Sequence, residues 1–322
     1  MTDANAAPEP VPRAPLRDEV AGSDLRPHPG TRRPDRFRHV DSDGLSIAVW
    51  EWGEPDAPPV LFTHGGFDFA GTFDGLAPLV ADAGWRVVSW DQRGHGDSER
   101  AHLYSWGADR RDALAVMDSI GTDPIPVVGH SKGGALMLSV ADAVPHRISH
   151  LANLDGLPTS RLWPDVPEHH RTEMRRGELA AWLDHRRAAR TKIRRPGTIE
   201  DLADRRRRMN PRLSPEWLQY LVPIGGYQQA DGWRWKIDAS LRMGGFGPWR
   251  PEWYTHLLAS MGMPVLCVLG LEVEVMGWGT LPEDVVSILP ANGRFAPLEN
   301  VGHFVHIEAP EVVAGLILEL IS

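Results

Sequence analysis

Short apolar runs separated by longer mixed stretches fill the chain up to about residue 155. The main runs are Val60–Phe62, Trp85–Trp90, Ile125–Val128 and Ile148–Leu154. They are continuously apolar rather than alternating, which is typical of strands that helices bury on both faces. The pattern therefore predicts an α/β fold with a mostly parallel sheet.

The beginning of the chain does not follow this pattern. Residues 1–36 are rich in Pro, Asp and Arg and lack apolar periodicity, so we expect a disordered N-terminal tail. Order is expected to begin near Phe37, where two strand-like runs flank Asp43 and Gly44. An Asp-Gly pair is well suited to a tight hairpin turn, because both of its residues tolerate positive φ.

The middle of the chain changes character again. Residues 156–256 combine many tryptophans and an excess of arginines with apolar residues near helical spacing, which predicts an inserted helical cap. Strand signals return at 264–269 and 294–298, and an apolar helix is predicted at 311–321. We therefore expect a core in two parts, 37–155 and 257–322, with the cap between them.

Composition and charge argue against two classes of protein, those that bind nucleic acid and those that span a membrane. The chain has 322 residues and a net charge of −9, whereas a protein that binds nucleic acid through its phosphates normally has a basic excess. No apolar run reaches the roughly 20 residues of a membrane helix, and the acidic, proline-containing start does not resemble a signal peptide, so we expect a soluble cytoplasmic protein. The single cysteine, Cys267, lies in an apolar run and is expected to be a buried core residue.

The clearest chemical motif spans Gly129 to Gly133, with the pattern G-x-S-x-G, directly after a buried strand and before a helix. This context is that of a nucleophile elbow, in which small residues two before and two after the serine avoid neighbouring strands. Ser131 is therefore the candidate nucleophile. The backbone N–H of Lys132, at the start of the helix, is a candidate oxyanion donor.

A second glycine pair, in His64–Phe67, also follows a buried strand and offers the N–H of Gly66 as the other oxyanion donor. The candidate base is His303, on a loop after the last predicted strand. His306 forms an H-x-x-H pair with it, but a loop pair without a third ligand does not predict a metal site. His95 lies in a glycine-rich loop that we interpret as structural, with Asp91 and Arg93 hydrogen-bonding the backbone.

Four motifs together resemble the alpha/beta-hydrolase fold superfamily: H-G-G-F, D-Q-R-G-H-G-D-S, G-H-S-K-G-G and G-H-F-V-H-I-E-A-P, in this order. Two stretches of the cap, N-P-R-L-S-P-E and D-G-W-R-W, are similar to its serine hydrolase-like branch. The resemblance implies an eight-stranded, mostly parallel sheet with helices on both faces and an active site under the cap. It does not imply a substrate, because this fold hosts many reactions.

The acid of the implied triad departs from the family pattern. Members with the acid after the seventh strand usually show G-x-x-D, whereas this chain reads G-L-E-V-E from Gly270. Asp155 lies at the end of the sixth strand, the position at which haloalkane dehalogenases carry their acid, and it is the first candidate. Glu272 is the second and Glu274 the third.

These residues predict a serine hydrolase that cleaves an ester, lactone or related acyl bond through an acyl-enzyme. A serine at the elbow argues against epoxide hydrolase or dehalogenase chemistry, which uses an aspartate there. A carbon–carbon bond hydrolase without cofactor and a non-catalytic binding protein remain alternatives on the same fold. The expected partner is a small molecule with an apolar or aromatic part, and no G-x-G-x-x-G or P-loop indicates a cofactor. The tryptophans of the cap either line the pocket for this small molecule or belong to the hydrophobic core; they are Trp163, Trp182, Trp217, Trp233, Trp235, Trp249 and Trp253.

Overall fold

A computed structural model describes residues 27–158, 171–190, 194–241 and 251–322. Its strands are β1 (Arg36–Ser42), β2 (Leu45–Trp52), β3 (Pro59–Thr63), β4 (Arg86–Trp90), β5 (Ile125–His130), β6 (Ile148–Leu154), β7 (Gly226–Gln229), β8 (Gly232–Trp235), β9 (Val265–Gly270) and β10 (Gly293–Leu298). Its helices are α1 (Ala77–Asp82), α2 (Trp106–Ile120), α3 (Lys132–Ala143), α4 (Arg171–Arg190), α5 (Ile199–Arg207), α6 (Pro215–Gly225), α7 (Pro251–Ala259), α8 (Pro282–Val286), α9 (Val305–Glu308) and α10 (Pro310–Ile321).

Eight strands form one mixed, mostly parallel sheet in the order β1-β2-β4-β3-β5-β6-β9-β10. Strands β1 and β2 are antiparallel to their neighbours, and all other pairs are parallel. The predicted hairpin joins β1 to β2, with φ of 51° at Asp43 and 81° at Gly44. The predicted fold class is confirmed.

Helices bury both faces of this sheet, as continuous apolarity predicts. On β3, Val60 and Phe62 face a layer formed with α1 and α10, whereas Leu61 between them faces the layer of α2 and α3. Side chains of a strand alternate between faces, so a run that is buried throughout requires a layer on each side. Cys267 is buried on β9 as predicted, and burial raises the pKa of its thiol to about 12.

The cap contains helices α4 to α6 and a short antiparallel hairpin, β7-β8, that the sequence pattern did not predict. Trp217 is buried, and Trp233 and Trp235 pack against the same apolar cluster as the sheet, so these tryptophans belong to the core. Trp253 is half exposed, Trp182 is of intermediate burial, and Trp163 and Trp249 lie outside the described residues.

Two predicted boundaries differ from the structure. The cap was expected to extend to residue 256, but this position lies inside α7, which packs against α3 of the core through buried Tyr254 and Leu258. The tail was expected to extend to residue 36, yet Arg33 is buried and its guanidinium lies 2.7 Å from the Asp74 carboxylate. This long-range ion pair orders a stretch whose local composition indicates disorder; residues 1–26 lie outside the described ranges.

Within the described ranges, none of the helices combines the length and apolar character required to cross a membrane.

Candidate active site

The loop after β5 has the geometry of a nucleophile elbow. Ser131 directly precedes α3 and has φ 51° and ψ −123°, a backbone conformation that residues other than glycine rarely adopt. A Cβ added to Gly129 would lie 2.5 Å from the Gly133 carbonyl oxygen, and one added to Gly133 would lie 2.3 Å from that of Thr63. Both small positions are therefore sterically required, as the motif predicts.

Backbone strain is concentrated in the loops that carry the candidate residues. Five residues other than glycine have positive φ in the described parts of the chain: one is Asp43 of the hairpin, and the others are Phe67, Ser131, Asp155 and Asn300. The last four lie in the loops of Gly66, Ser131, Asp155 and His303. Such conformations persist only where the surrounding structure enforces them, and they cluster at functional sites.

His303 and Asp155 meet in the interior. His303 Nδ1 lies 3.1 Å from Asp155 Oδ2, and both side chains are buried. Because a carboxylate only accepts, Nδ1 carries the proton, and Nε2 of the neutral ring remains an acceptor. Burial raises the pKa of Asp155, and the nearby His303 opposes this shift.

The elbow adjoins this pair through the backbone. The Ser131 amide donates to the Leu154 carbonyl at 2.9 Å, directly before Asp155, and the Asp155 amide donates to the Val268 carbonyl at 2.8 Å. The ring of His130, which precedes the nucleophile, has its centroid 4.8 Å from that of His303. The structure therefore brings Ser131, Asp155 and His303 to one edge of the sheet.

The two glutamates are placed differently from Asp155. Glu274 Oε2 accepts a hydrogen bond from the His303 backbone N–H at 2.7 Å, and burial raises the pKa of Glu274. Glu272 is 45% exposed and lies 3.8 Å from the Arg212 guanidinium. Asp155 thus contacts the ring of His303, Glu274 contacts its main chain, and Glu272 pairs with a surface arginine.

One candidate oxyanion donor, Lys132, belongs to the elbow, and the other, Gly66, lies in the loop after β3. A Cβ added to Gly65 would lie 3.2 Å from Ser131 Cβ, so the backbone beside Gly66 closely approaches the nucleophile. Within the described ranges, the Gly66 amide has no hydrogen-bond acceptor. Lys132 is the first residue of α3, where backbone N–H groups point out of the helix.

His95 supports this loop, which agrees with its structural interpretation. Its Nε2 accepts from the Phe67 amide at 3.1 Å, and its Nδ1 lies 3.0 Å from the Arg93 carbonyl. Burial lowers the pKa of His95 to about 3, so the ring is neutral. Asp91 accepts from the amides of Ala70 and Asp97, as predicted for a structural residue.

The side chain of Lys132 forms a buried ion pair that the sequence analysis missed. Its ammonium lies 2.7 Å from Asp109 Oδ2 on α2 and also donates to Gln92 Oε1. Both charged side chains are about 1% exposed. The only sequence signal is a lysine at the start of an otherwise apolar helix.

The arginine run of the cap is partly used within the protein. Arg205 donates to the carbonyls of Arg195 and Pro196, and Arg206 donates to Asp68 Oδ1 at 2.8 Å. Within this run, Arg205 therefore binds the backbone of the cap, and Arg206 connects the cap to the core.

Comparison with known proteins places these features in a family. The model of the alpha/beta hydrolase fold family matches residues 58–310, and the chain belongs to this family. The chain is similar to the serine hydrolase-like protein of Danio rerio, at 24% identity over 84% of this chain and 83% of the relative. It is also similar to epoxide hydrolase A of Mycobacterium tuberculosis, at 32% identity, but over only 39% of this chain and 41% of the relative.

Among solved structures, the thioesterase domain from the curacin biosynthetic pathway is similar, with a TM-score of 0.74 and 25% identity. The match covers 88% of this chain and 99% of that domain. The family and these relatives support hydrolase activity for this chain.

Proposed function

We propose that the protein is a serine hydrolase that cleaves an ester, thioester or lactone through a covalent acyl-enzyme, with Ser131, His303 and Asp155 as its triad. One observation carries this proposal: His303 is oriented by Asp155 at 3.1 Å, beside a serine at the strained turn of an elbow. This constellation provides a nucleophile, a base and a group that orients the base.

In the first step, Ser131 Oγ attacks the carbonyl carbon while His303 Nε2 takes its proton. The amides of Gly66 and Lys132 donate to the oxyanion that develops on the carbonyl oxygen. His303 then gives the proton to the leaving group as the acyl bond breaks. In the second step, His303 takes a proton from water, and the resulting hydroxide attacks the acyl carbon. His303 then returns this proton to Ser131 Oγ as the bond to the acyl group breaks and the acid is released. Asp155 stabilises the protonated ring in both steps.

The elbow residue separates this proposal from epoxide hydrolysis. Epoxide hydrolases build an alkyl ester on a carboxylate, and Ser131 offers a hydroxyl at that position. The likeness to the M. tuberculosis epoxide hydrolase covers less than half of either chain, whereas the serine hydrolase-like protein matches over most of both. The similar thioesterase domain supports an acyl substrate. We propose a small molecule with an apolar or aromatic acyl part as the substrate.

A panel of nitrophenyl esters, from acetate to decanoate, tests this function. Ser131→Ala should reduce kcat/KM by about 10⁶-fold, and His303→Ala should match it, because the two groups act as a unit. Ser287→Ala and His146→Ala, at exposed positions, are the controls and should keep wild-type rates. Retention of more than about a tenth of the activity in folded Ser131→Ala would overturn the mechanism. No turnover of any ester by the wild type, together with no labelling by a fluorophosphonate, would favour a binding protein.

A further inference from the structure

A second group of buried polar side chains lies beside the candidate triad. Asp68 lies in the loop after β3, His130 ends β5 and His306 lies in α9, and we call these three residues the two-histidine cluster. One ligand atom from each lies within 4.8 Å of the others, and all three side chains are at most 2% exposed. The proposed acyl transfer uses none of them.

The cluster atoms lack hydrogen-bond partners. Among the residues that the structure describes, Asp68 Oδ2, His130 Nδ1 and both ring nitrogens of His306 have none. An unsatisfied buried polar atom costs about 1–3 kcal/mol, and native proteins contain few of them. Three adjacent residues that all carry such atoms therefore indicate a missing partner.

The remaining polar atoms of Asp68 and His130 are fixed by other groups. Arg206 donates to Asp68 Oδ1 at 2.8 Å, and His130 Nε2 donates to the His303 carbonyl at 2.9 Å. The proton on Nε2 leaves the lone pair of His130 Nδ1 available. Metal-binding histidines and carboxylates are held in this way, with one atom bonded to the protein and the other to the ion.

The protonation state also suits a cation. Burial lowers the pKa of His306 to about 3 and that of His130 well below its usual value. Neutral imidazole is the form that binds metal, so a cation need not displace protons from either ring.

We propose that Asp68, His130 and His306 form a binding site for a divalent transition-metal cation of the zinc type. Two imidazole nitrogens and one carboxylate oxygen suit zinc, and a single oxygen ligand disfavours calcium and magnesium. Bonds of about 2.0–2.2 Å require ligand atoms roughly 3.4 Å apart, so binding would draw the cluster inward by about 1 Å. A water molecule completes the tetrahedron.

The site would join the three loops that carry the candidate catalytic groups. Asp68 is two residues from Gly66, His130 adjoins Ser131, and His306 is three residues from His303. An ion bound to all three would therefore fix the relative positions of the oxyanion loop, the nucleophile and the base. The metal site depends on the cluster alone and is independent of the proposed reaction.

Calorimetric titration of the full chain with Zn²⁺, after treatment with chelator and its removal, tests the site. We expect one high-affinity ion per chain. Asp68→Asn and His306→Asn should each weaken its binding by at least about tenfold. His146→Asn, which removes an exposed histidine, should bind as the wild type does. Equal binding by folded Asp68→Asn, folded His306→Asn and the wild type, or no saturable binding, would overturn the proposal; a buried water would then be the partner.

X-ray absorption of the zinc-loaded wild type provides a test that needs no variant. The proposal requires two imidazole nitrogens and at least one oxygen at about 2.0–2.2 Å around the ion. Coordination by one imidazole or by none would overturn it. This readout does not depend on esterase activity, so its failure is distinct from failure of the serine mechanism.

Discussion

At the carboxyl edge of the sheet, the candidate catalytic residues are buried and held in strained conformations, whereas helix α4 of the cap exposes apolar side chains. Ser131 and Asp155 are at most 8% exposed and have positive φ. On α4, Leu179 is 57% exposed and Leu183 is 41% exposed. Surrounding residues enforce the conformations of the first region, whereas the side chains of the second contact few of the described residues. Changes of the same chemical kind should therefore have very different effects in the two regions.

The largest of these effects is expected for the acid. Asp155→Asn should fold normally but lower kcat by about 10⁴-fold, because an amide no longer holds His303 in its productive tautomer. Glu272→Gln and Glu274→Gln, which remove carboxylates that do not contact the ring, should each lose about tenfold or less. Ester hydrolysis by the three variants, with circular dichroism to check folding, measures this. Near-normal activity in Asp155→Asn with loss in Glu272→Gln would assign the acid to the loop after β9.

The next effect concerns stability beneath the elbow. Asp109→Asn removes the countercharge of the buried Lys132 ammonium, and losing one partner of a buried pair costs about 3–5 kcal/mol of unfolding free energy. Asp184→Asn is the matched control, because Asp184 forms an exposed pair with Arg187 on α4. Such surface pairs contribute little, so the control should unfold at the wild-type urea midpoint. Similar midpoints for all three proteins would show that the elbow is no more constrained than the cap.

A smaller effect should appear as a pH dependence. Burial lowers the pKa of His306 from 6.5 to about 3. Between these two pH values, His306 binds a proton in the unfolded chain but not in the folded chain. Stability is therefore lost as pH falls below 6.5. Between pH 6.5 and 5, the protonation of His306 in the unfolded chain should lower the unfolding free energy of the wild type by about 2 kcal/mol. His306→Phe should remove this loss, so its unfolding free energy should depend less on pH.

Urea unfolding in the presence of chelator at both pH values measures the difference. His146→Phe, at an exposed position, should keep the wild-type dependence. An unchanged dependence in His306→Phe would mean that His306 is protonated equally in the folded and unfolded chain.

The smallest effect is expected on α4. Leu179→Gln should change the unfolding free energy by no more than about 0.5 kcal/mol, as is usual for exposed positions. Leu136 on α3 is fully buried, and Leu136→Ala should lower the unfolding free energy by about 2–5 kcal/mol. A large loss in Leu179→Gln would show that α4 is packed against further residues.

The sequence predicted the fold and the main candidate residues because their signals are local. Continuous apolar runs reveal strands buried on both faces, and the elbow motif places Ser131 between a strand and a helix within five residues. The close approaches of Gly129 and Gly133 explain why this pattern is so specific.

Other features could not be predicted, because they depend on contacts between distant residues. Lys132 and Asp109 are 23 positions apart, and Arg33 and Asp74 are 41 apart. The sequence around each of these residues does not indicate which distant residue pairs with it. The H-x-x-H pattern did not indicate the proposed cluster for the same reason: His130 and Asp68 meet His306 only in the folded chain, and His303 is not a member of the cluster.

Reaction with a fluorophosphonate probe, followed by peptide mapping, tests directly whether Ser131 is the nucleophile. We expect a stoichiometric adduct on Ser131 in the wild type, since the probe captures a serine that a neighbouring base activates. His303→Ala should react far more slowly, whereas Ser287→Ala should react as the wild type does. An adduct on another serine, or none on a folded wild-type protein, would contradict the assignment of Ser131 as the nucleophile.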